Sequence, residues 1–515
     1  MAGIGQRNWP LDLGSCAREP IHIIGHIQSH GLLFALSEPD FIVRQVSANV
    51  GTLLGTSTDA ILGTSLESVL GRQQFQAFRS RLASDDLISA NPLRVVVGNS
   101  ALEMDCVAHR YDGVLIAECE RVNERRSAKP SELATNIGIL LTRMGQASGI
   151  IEYSEIAASE IQRLSGFNRV MVYRFDADWN GEVIAEAGQV PEPATPAYTS
   201  YLGLNFPATD IPAQARQLFL TNQVRSIADI DSTPVPLVPE IGPLTGRPLD
   251  MSQTFLRGVS PIHIEYLRNI GVRSSLSVSI IVDDRLWGLV ACHHHAPRPV
   301  DCATRSICGL IAQNLALQVT SKNANAARKS RRIAAEMIDE YEHYAERVQT
   351  ARGLFIDSAS AARFIDMLDA DGVVSHLSGT TSSQGLLVAQ ESLRAIVGHL
   401  QSLMNHGVAS SDRLALDDPV GAQISGGLYI ELSKRSGEYL LFVRREHVRT
   451  VNWAGNPDKS ASADVAGKLH PRTSFAQWQE AVRGRSRPWT ELQLESARFL
   501  RAELLHIGDA QRLQA

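Results

Sequence analysis

Residues 206–212 read F-P-A-T-D-I-P, and residues 260–267, further along the chain, read S-P-I-H-I-E-Y-L. Each string sets a polar group between proline and apolar side chains: Asp210 beside Phe206 and Ile211, and His263 behind Ser260 and ahead of Tyr266. Proline rings fix φ and stiffen the turns they bound. A lone carboxylate and a lone imidazole held in stiff, aromatic-rich turns describe an ordered polar site inside an apolar pocket. Taken singly, each motif has a plainer reading, with Asp210 capping a helix that starts at Pro212 and His263 a hydrogen-bonded core residue.

Around these strings, residues 169–175, 181–187, 276–282 and 286–292 read as strands, with helices over 212–222 and 262–269. The expected product is an antiparallel sheet with helices on its faces. Upstream, residues 32–36, 41–46, 93–97 and 114–118 read as short strands among helices, an α+β sensor-like pattern. Charged, apolar-poor stretches at 120–130 (E-R-V-N-E-R-R-S-A-K-P) and 322–332 (K-N-A-N-A-A-R-K-S-R-R) place boundaries near Asn123 and Asn323. The chain divides into an N-terminal segment 1–18 and domains over 19–125, 126–322 and 323–515. Residues 301–351 lack proline, and Ile307, Leu310, Ile311 and Leu315 recur at helical spacing, which predicts one long connecting helix. Two ordinary helices broken near Lys322 are the alternative. At the C-terminus, Thr490 and Gln493 form a capping box, Leu494, Ala497, Leu500 and Leu504 line one face, and Gly508 is the expected stop. Residues 459–464 (K-S-A-S-A-D) read as a flexible tip.

The 515 residues contain six cysteines and carry a net charge of −6. No two cysteines form a C-x-x-C pair, so neither a disulfide framework nor a zinc site is expected, and the chain reads as reduced and cytosolic. Residues 1–20 lack the apolar core of a signal peptide, and no run approaches the roughly 20 apolar residues of a membrane helix. The interspersed charges present no large basic face for nucleic acid or lipid, which favours small-molecule or protein partners.

Several further strings give the chain a family resemblance. Residues 16–31 (C-A-R-E-P-I-H-I-I-G-H-I-Q-S-H-G), together with the strings at 206–212 and 260–267, resemble bacterial phytochromes. The likeness covers essentially the whole chain as a PAS domain, a GAF chromophore domain and a PHY domain. It implies a red/far-red photoreceptor that holds a linear tetrapyrrole, biliverdin, through a thioether to Cys16. Taken alone, Cys16 is a thiol in a mobile leader, where most are inert. Ile262 stands where plant and cyanobacterial members carry their linking cysteine, which favours biliverdin.

The resemblance assigns further roles. Asp210 and His263 serve the ring N–H groups, which would cost about 1 to 3 kcal/mol each if buried unpaired. Arg225 and Arg257 match the propionate-binding arginines, with Ser275 and Ser277 as hydroxyl donors. Tyr173, Phe206 and Tyr266 match the pocket of the rotating ring D, His293 the donor to its carbonyl, and Ile211 and Ser260 are further chromophore-binding residues. Metal at His293, His294 and His295 is not expected, because successive strand residues point to opposite faces. The same geometry excludes an enzyme using Cys292 and His293.

In the third domain, residues 439–445 (Y-L-L-F-V-R-R), 453–455 (W-A-G) and 471–475 (P-R-T-S-F) resemble the PHY tongue, placed at about 440–476. This implies that Arg472 neutralises Asp210, that Ser474 replaces it after switching, and that Trp453 and Gly455 belong to the hairpin. The signalling route implied is a long helix in a homodimer, toward an output domain or response regulator. A non-photochromic GAF-type ligand sensor is the alternative. Departures from the family pattern are Thr209 for Ser, Ile24 and Ser29 for Pro, and a long segment at 189–200. No kinase or cyclase signature follows Gly508, so no catalytic domain is expected in this chain.

Overall fold

A computed structural model describes residues 19–82, 87, 91–97, 102–122, 130–188, 200–348, 358–414, 424–457, 461–463 and 469–514. Cys16, the segment 189–199 and residues 459, 460 and 464 lie outside them. The chain forms two compact units, 1–319 with 452–478, and 320–451 with 479–515.

The first unit is built on strands β1 (His26–Ile27), β2 (Gly31–Ser37), β3 (Ile42–Ser47), β4 (Leu93–Val97), β5 (Leu102–Tyr111), β6 (Val114–Arg121), β7 (Arg169–Phe175), β8 (Gly181–Gly188), β9 (Asn205–Phe206), β10 (Val224–Ile227), β11 (Val235–Val238), β12 (Ser274–Val282) and β13 (Arg285–His294). One sheet runs β1-β11-β3-β2-β6-β5-β4 and the other begins β10-β12-β13-β7-β8-β9. Strand β11 is short and carries Pro236, yet it pairs with both β1 and β3. The two expected N-terminal domains therefore form one unit, because a strand of the second completes the sheet of the first.

Period-two alternation sorts the second sheet. Leu276, Val278, Ile280, Val290 and Cys292 face a core with Ala157, Ile161, Ile311 and Leu315, from the helices Ile150–Ser165 and Cys302–Val348. The intervening Ser275, Ser277, Leu289, Ala291 and His293 face the other way and line a cavity. His294 returns to the first side, against Phe167. The helix Cys302–Val348 runs 47 residues without a break at Lys322.

In the second unit, β14 (Gly372–Leu377), β15 (Thr380–Gly385), β16 (Val408–Ser411), β17 (Ile424–Ser433) and β18 (Glu438–Arg445) form a sheet in the order β15-β14-β18-β17-β16. This corrects the tongue assignment of residues 439–445. Leu440, Leu441, Phe442 and Val443 are all fully buried in an interior strand, with cores on both faces. The capping box forms as expected: the Thr490 N–H donates to the Gln493 side chain at 2.9 Å, and the Gln493 N–H to the Thr490 hydroxyl at 3.3 Å. The helix does not stop at Gly508 but runs from Glu491 to Gln514, since one glycine costs only about 1 kcal/mol in a helix.

Residues 452–454, which end β19 (Arg449–Ala454), belong to the first unit, where Trp453 pairs in parallel with Asn205 of β9. Beyond it, β20 (Ala461–Ala463) pairs with β21 (Leu469–Pro471).

Candidate functional site

The cavity behind β12 and β13 measures about 380 Å³, and its walls include Tyr173, Thr209, Asp210, Ile211, Arg225, Arg257, Ser260, His263, Tyr266, Ser275, Ser277 and His293. Phe206 stands behind this wall, edge-on to Tyr173 at 5.3 Å and to Tyr201 at 5.4 Å. The two strings with which the sequence reading begins thus meet at one cavity, although far apart in the chain.

At one end, Asp210 closes a 3-10 turn, Ala208–Asp210, directly before Pro212, the N-cap of the helix Ala213–Thr221. Its carboxylate does not cap that helix. Oδ2 accepts from the Tyr266 hydroxyl at 3.0 Å and from Nη2 of Arg472. Arg472 also donates to the Ala454 carbonyl, and its guanidinium lies 4.4 Å from the Phe475 ring centre. Both ends of the pair are buried, with side-chain exposures of 5% for Asp210 and 2% for Arg472. Burial pushes the Asp210 carboxyl up, while Arg472 and Tyr266 draw it back. Burial also opposes the Arg472 charge, yet Asp210 and Tyr266 hold that group above its ordinary value.

Gly455 permits this approach. Its φ is +92°, and a β-carbon there would sit 2.3 Å from the Ser474 carbonyl oxygen and 2.8 Å from Nη1 of Arg472. Trp453 is buried and Ser474 is exposed, so Ser474 is not among the Asp210 partners. A second contact from the same segment joins His470 to Glu265 at 2.8 Å.

Along the middle, Ser260 caps the helix Pro261–Asn269, accepting from the Ile262 N–H at 3.3 Å and donating to the Glu19 carboxylate at 2.9 Å. One turn in, His263 stacks on Tyr266 with ring centres 6.0 Å apart. Burial lowers His263 to about 4 and His293 to about 3, so both imidazoles are neutral near pH 7. His293 Nδ1 and Thr209 Oγ1 are buried without a hydrogen-bond partner.

At the other end stand Arg225, opposite Ser277 across β10 and β12, and Arg257. Arg225 donates to the carbonyls of Phe255 at 3.1 Å and Gly258 at 2.7 Å. Nη1 of Arg257 is buried with no partner. Burial and then the charge of Arg257 push Arg225 well below its ordinary value, and burial lowers Arg257 to about 10. Neither forms an ion pair with a described carboxylate. A mainly apolar groove with two desolvated guanidiniums at one end suits an elongated apolar ligand bearing carboxylates.

Residues 16–122 match the family described as PAS fold, 150–321 the GAF domain, and 335–512 the Phytochrome region. A bacteriophytochrome of Xanthomonas campestris is 37% identical over 98% of this chain and 80% of its own length. The chain belongs to the phytochrome family. Among solved structures, a bacteriophytochrome from R. palustris is similar with a TM-score of 0.85 and 33% identity, covering 96% of this chain and all of that one. The photosensory core module of the Stigmatella aurantiaca phytochrome likewise reaches 0.85 at 35% identity, over 97% of this chain and 99% of that one. Cyanobacterial phytochrome B of Nostoc is 34% identical over 96% of this chain, which spans 66% of its length. The chain is thus the light-sensing region of a red/far-red photoreceptor, with PAS, GAF and PHY domains in order and a bilin as its chromophore. The orphaned Arg257 Nη1 and His293 Nδ1, and the uncompensated guanidiniums, fit a bilin in this cavity. Among the described residues no helix is long and apolar enough to cross a membrane.

Sequence reasoning missed Glu118 and Tyr201, which sit in or beside strands and carry no motif. It also missed the contacts of Glu19 and Gln28, although both lie inside the quoted N-terminal string.

Proposed function

We propose that this phytochrome binds biliverdin covalently through Cys16 and signals by exchanging the partner of Asp210. The observation that carries the reading is the division of one cavity between a guanidinium pair without ion-pair partners and a carboxylate latched by a guanidinium from residues 452–478. Arg225 and Arg257, with Ser275 and Ser277, hold the propionates, and Asp210 and His263 face the ring N–H groups. His293 donates to the ring D carbonyl, while Tyr173, Phe206, Ile211 and Tyr266 form a wall that repacks as ring D turns. When bound, the bilin supplies light absorption and double-bond isomerisation. The residues of this chain convert that motion by releasing Asp210 from Arg472 and passing it to Ser474, with the segment around Trp453 and Gly455 refolding.

The long helix Cys302–Val348 carries the change toward an output. Leu310 and Leu317 on it, and Ile139, Leu141 and Ile151 on the helices Pro130–Gln146 and Ile150–Ser165, are exposed apolar residues that support a homodimer. The chain acts as a cytoplasmic sensor rather than as a catalyst, and its partner is an output domain or response regulator. Adding biliverdin to the purified protein tests the reading. A strong red to far-red band that changes reversibly with red and far-red light supports it, together with zinc fluorescence on a denaturing gel that Cys16→Ser removes. A band that no illumination changes would refute the switching, and fluorescence persisting in Cys16→Ser would refute the attachment site.

A further inference from the structure

Arg257 sits on a segment whose backbone is held largely from the other sheet of the first unit. Glu118, on β6, is completely buried, and its two oxygens accept the N–H groups of Phe255 at 3.1 Å and Leu256 at 2.7 Å. Gln28 reinforces this: its backbone N–H donates to the Leu256 carbonyl at 2.9 Å, and its side chain donates to the Ser226 carbonyl at 2.8 Å and accepts from the Ala228 N–H at 3.0 Å. The Gly258 N–H donates to the His26 carbonyl at 2.8 Å. Arg305, bidentate on Glu120, covers the Phe255 ring at 4.5 Å. Among the described residues, Glu118 is the carboxylate that binds this segment, at the two positions immediately before Arg257.

We infer that Glu118 is a positioning residue that aims the Arg257 guanidinium at a carboxylate of the bound ligand, so that the PAS sheet sets the affinity of the GAF pocket for the acidic end of its chromophore. The inference rests on the reading of Arg257 as a propionate partner. A buried carboxylate accepting two consecutive backbone N–H groups makes charge-assisted bonds that a neutral amide cannot reproduce, because one amide oxygen is replaced by a donor. The charge of Glu118 also sustains that of Arg257. The groups facing Glu118 are His109 of β5 at 3.7 Å, Glu120 of its own strand, Arg305 of the long helix, and Arg225 and Arg257. Burial first, and Glu120 in part, push its carboxyl up to about 8 against Arg305 and the two N–H donors.

Equilibrium binding of biliverdin and of biliverdin dimethyl ester, measured at about pH 9 in the Cys16→Ser background, tests this. Glu118→Gln weakens biliverdin binding by about tenfold, a loss on the scale of one unpaired buried donor, and leaves the ester within about twofold. Near pH 6.5 the gap narrows, since the parent carboxyl is then protonated. In the ligand-free protein the amides of Phe255 and Leu256 exchange faster in the variant. Equal losses for both ligands would make Glu118 merely structural and overturn the inference. Unchanged biliverdin binding in Glu118→Gln, with a loss in Arg257→Ala, would overturn it while sparing the reading of Arg257. Unchanged biliverdin binding in Arg257→Ala would instead sink that reading. If the glutamine variant does not fold, Glu118→Asp, which keeps the charge but withdraws it by one methylene, carries the same ligand comparison.

Discussion

Arg472 and Arg257 are both buried arginines near one cavity, and their surroundings treat them oppositely. Arg472 meets a carboxylate, a carbonyl and an aromatic face, and its charge is held in place. Arg257 has a buried nitrogen with no partner, lies near the like charge of Arg225, and is lowered to about 10. A guanidinium paired within its own chain works as a latch. One left short of partners in a low-dielectric groove is a receptor for an anion, because a ligand carboxylate removes a cost that the empty site carries.

The sharpest way to break this contrast is Arg472→Ala. It leaves Asp210 buried with only Tyr266, and removing one member of such a pair costs about 3 to 5 kcal/mol. Hydrogen exchange across residues 469–478 in the ligand-free protein should accelerate accordingly, and unchanged protection would reduce Arg472 to a bystander.

Gly455→Ala attacks the same latch through the backbone. A side chain at φ +92° collides with the Ser474 carbonyl, at a cost of about 1 to 3 kcal/mol. The same amides should exchange faster, less so than in Arg472→Ala, and bilin attachment should persist. Protection equal to the parent's would show that the segment adjusts without loss.

On the receptor side, His293 tests the electrostatics. Its folded-state value of about 3 lies below the ordinary 6.5, burial being the main cause and Arg169 and His263 adding to it. The unfolded chain therefore takes up the proton first, and stability that is full above pH 6.5 is lost as the pH falls toward about 3. Relative to His293→Asn, the parent should lose about 1 kcal/mol between pH 7 and pH 5.5. Melting curves of both ligand-free proteins at the two values check it, and a pH-independent difference would mean that the imidazole is not desolvated.

The smallest effect separates receptor from latch most directly. Arg257→Met keeps much of the volume and removes the charge, so ligand-free stability should stay level or rise by up to about 1 kcal/mol while biliverdin binding weakens. Chemical denaturation of the ligand-free protein reads the first and titration the second. A large loss of stability would show that Arg257 is structural.

Much of this was legible along the chain. The strands around the pocket alternate with period two, and Ser275, Ser277 and His293 fall on the cavity side as that alternation requires. The capping box at Thr490 and Gln493 is local and formed as read. Errors came where local signals were weak or outweighed. Residues 439–445 match a tongue string but form an interior strand, since four consecutive apolar residues bury better between two cores than on a hairpin. Gly508 carries a stop signal, and the helix continues through it.

The sequence by itself determined the family, the helix and strand periods, and the residue types brought to the ligand, because spacing, turn chemistry and short motifs are properties of neighbours along the chain. Only the tertiary structure decided that β11 completes the first sheet, that Glu118 and Gln28 hold the segment bearing Arg257, and which of the two partners the resemblance implies, Arg472 or Ser474, meets Asp210 here. Those are contacts between residues more than a hundred positions apart or choices between near neighbours. They are settled by which buried polar group finds a partner, and no local pattern encodes that.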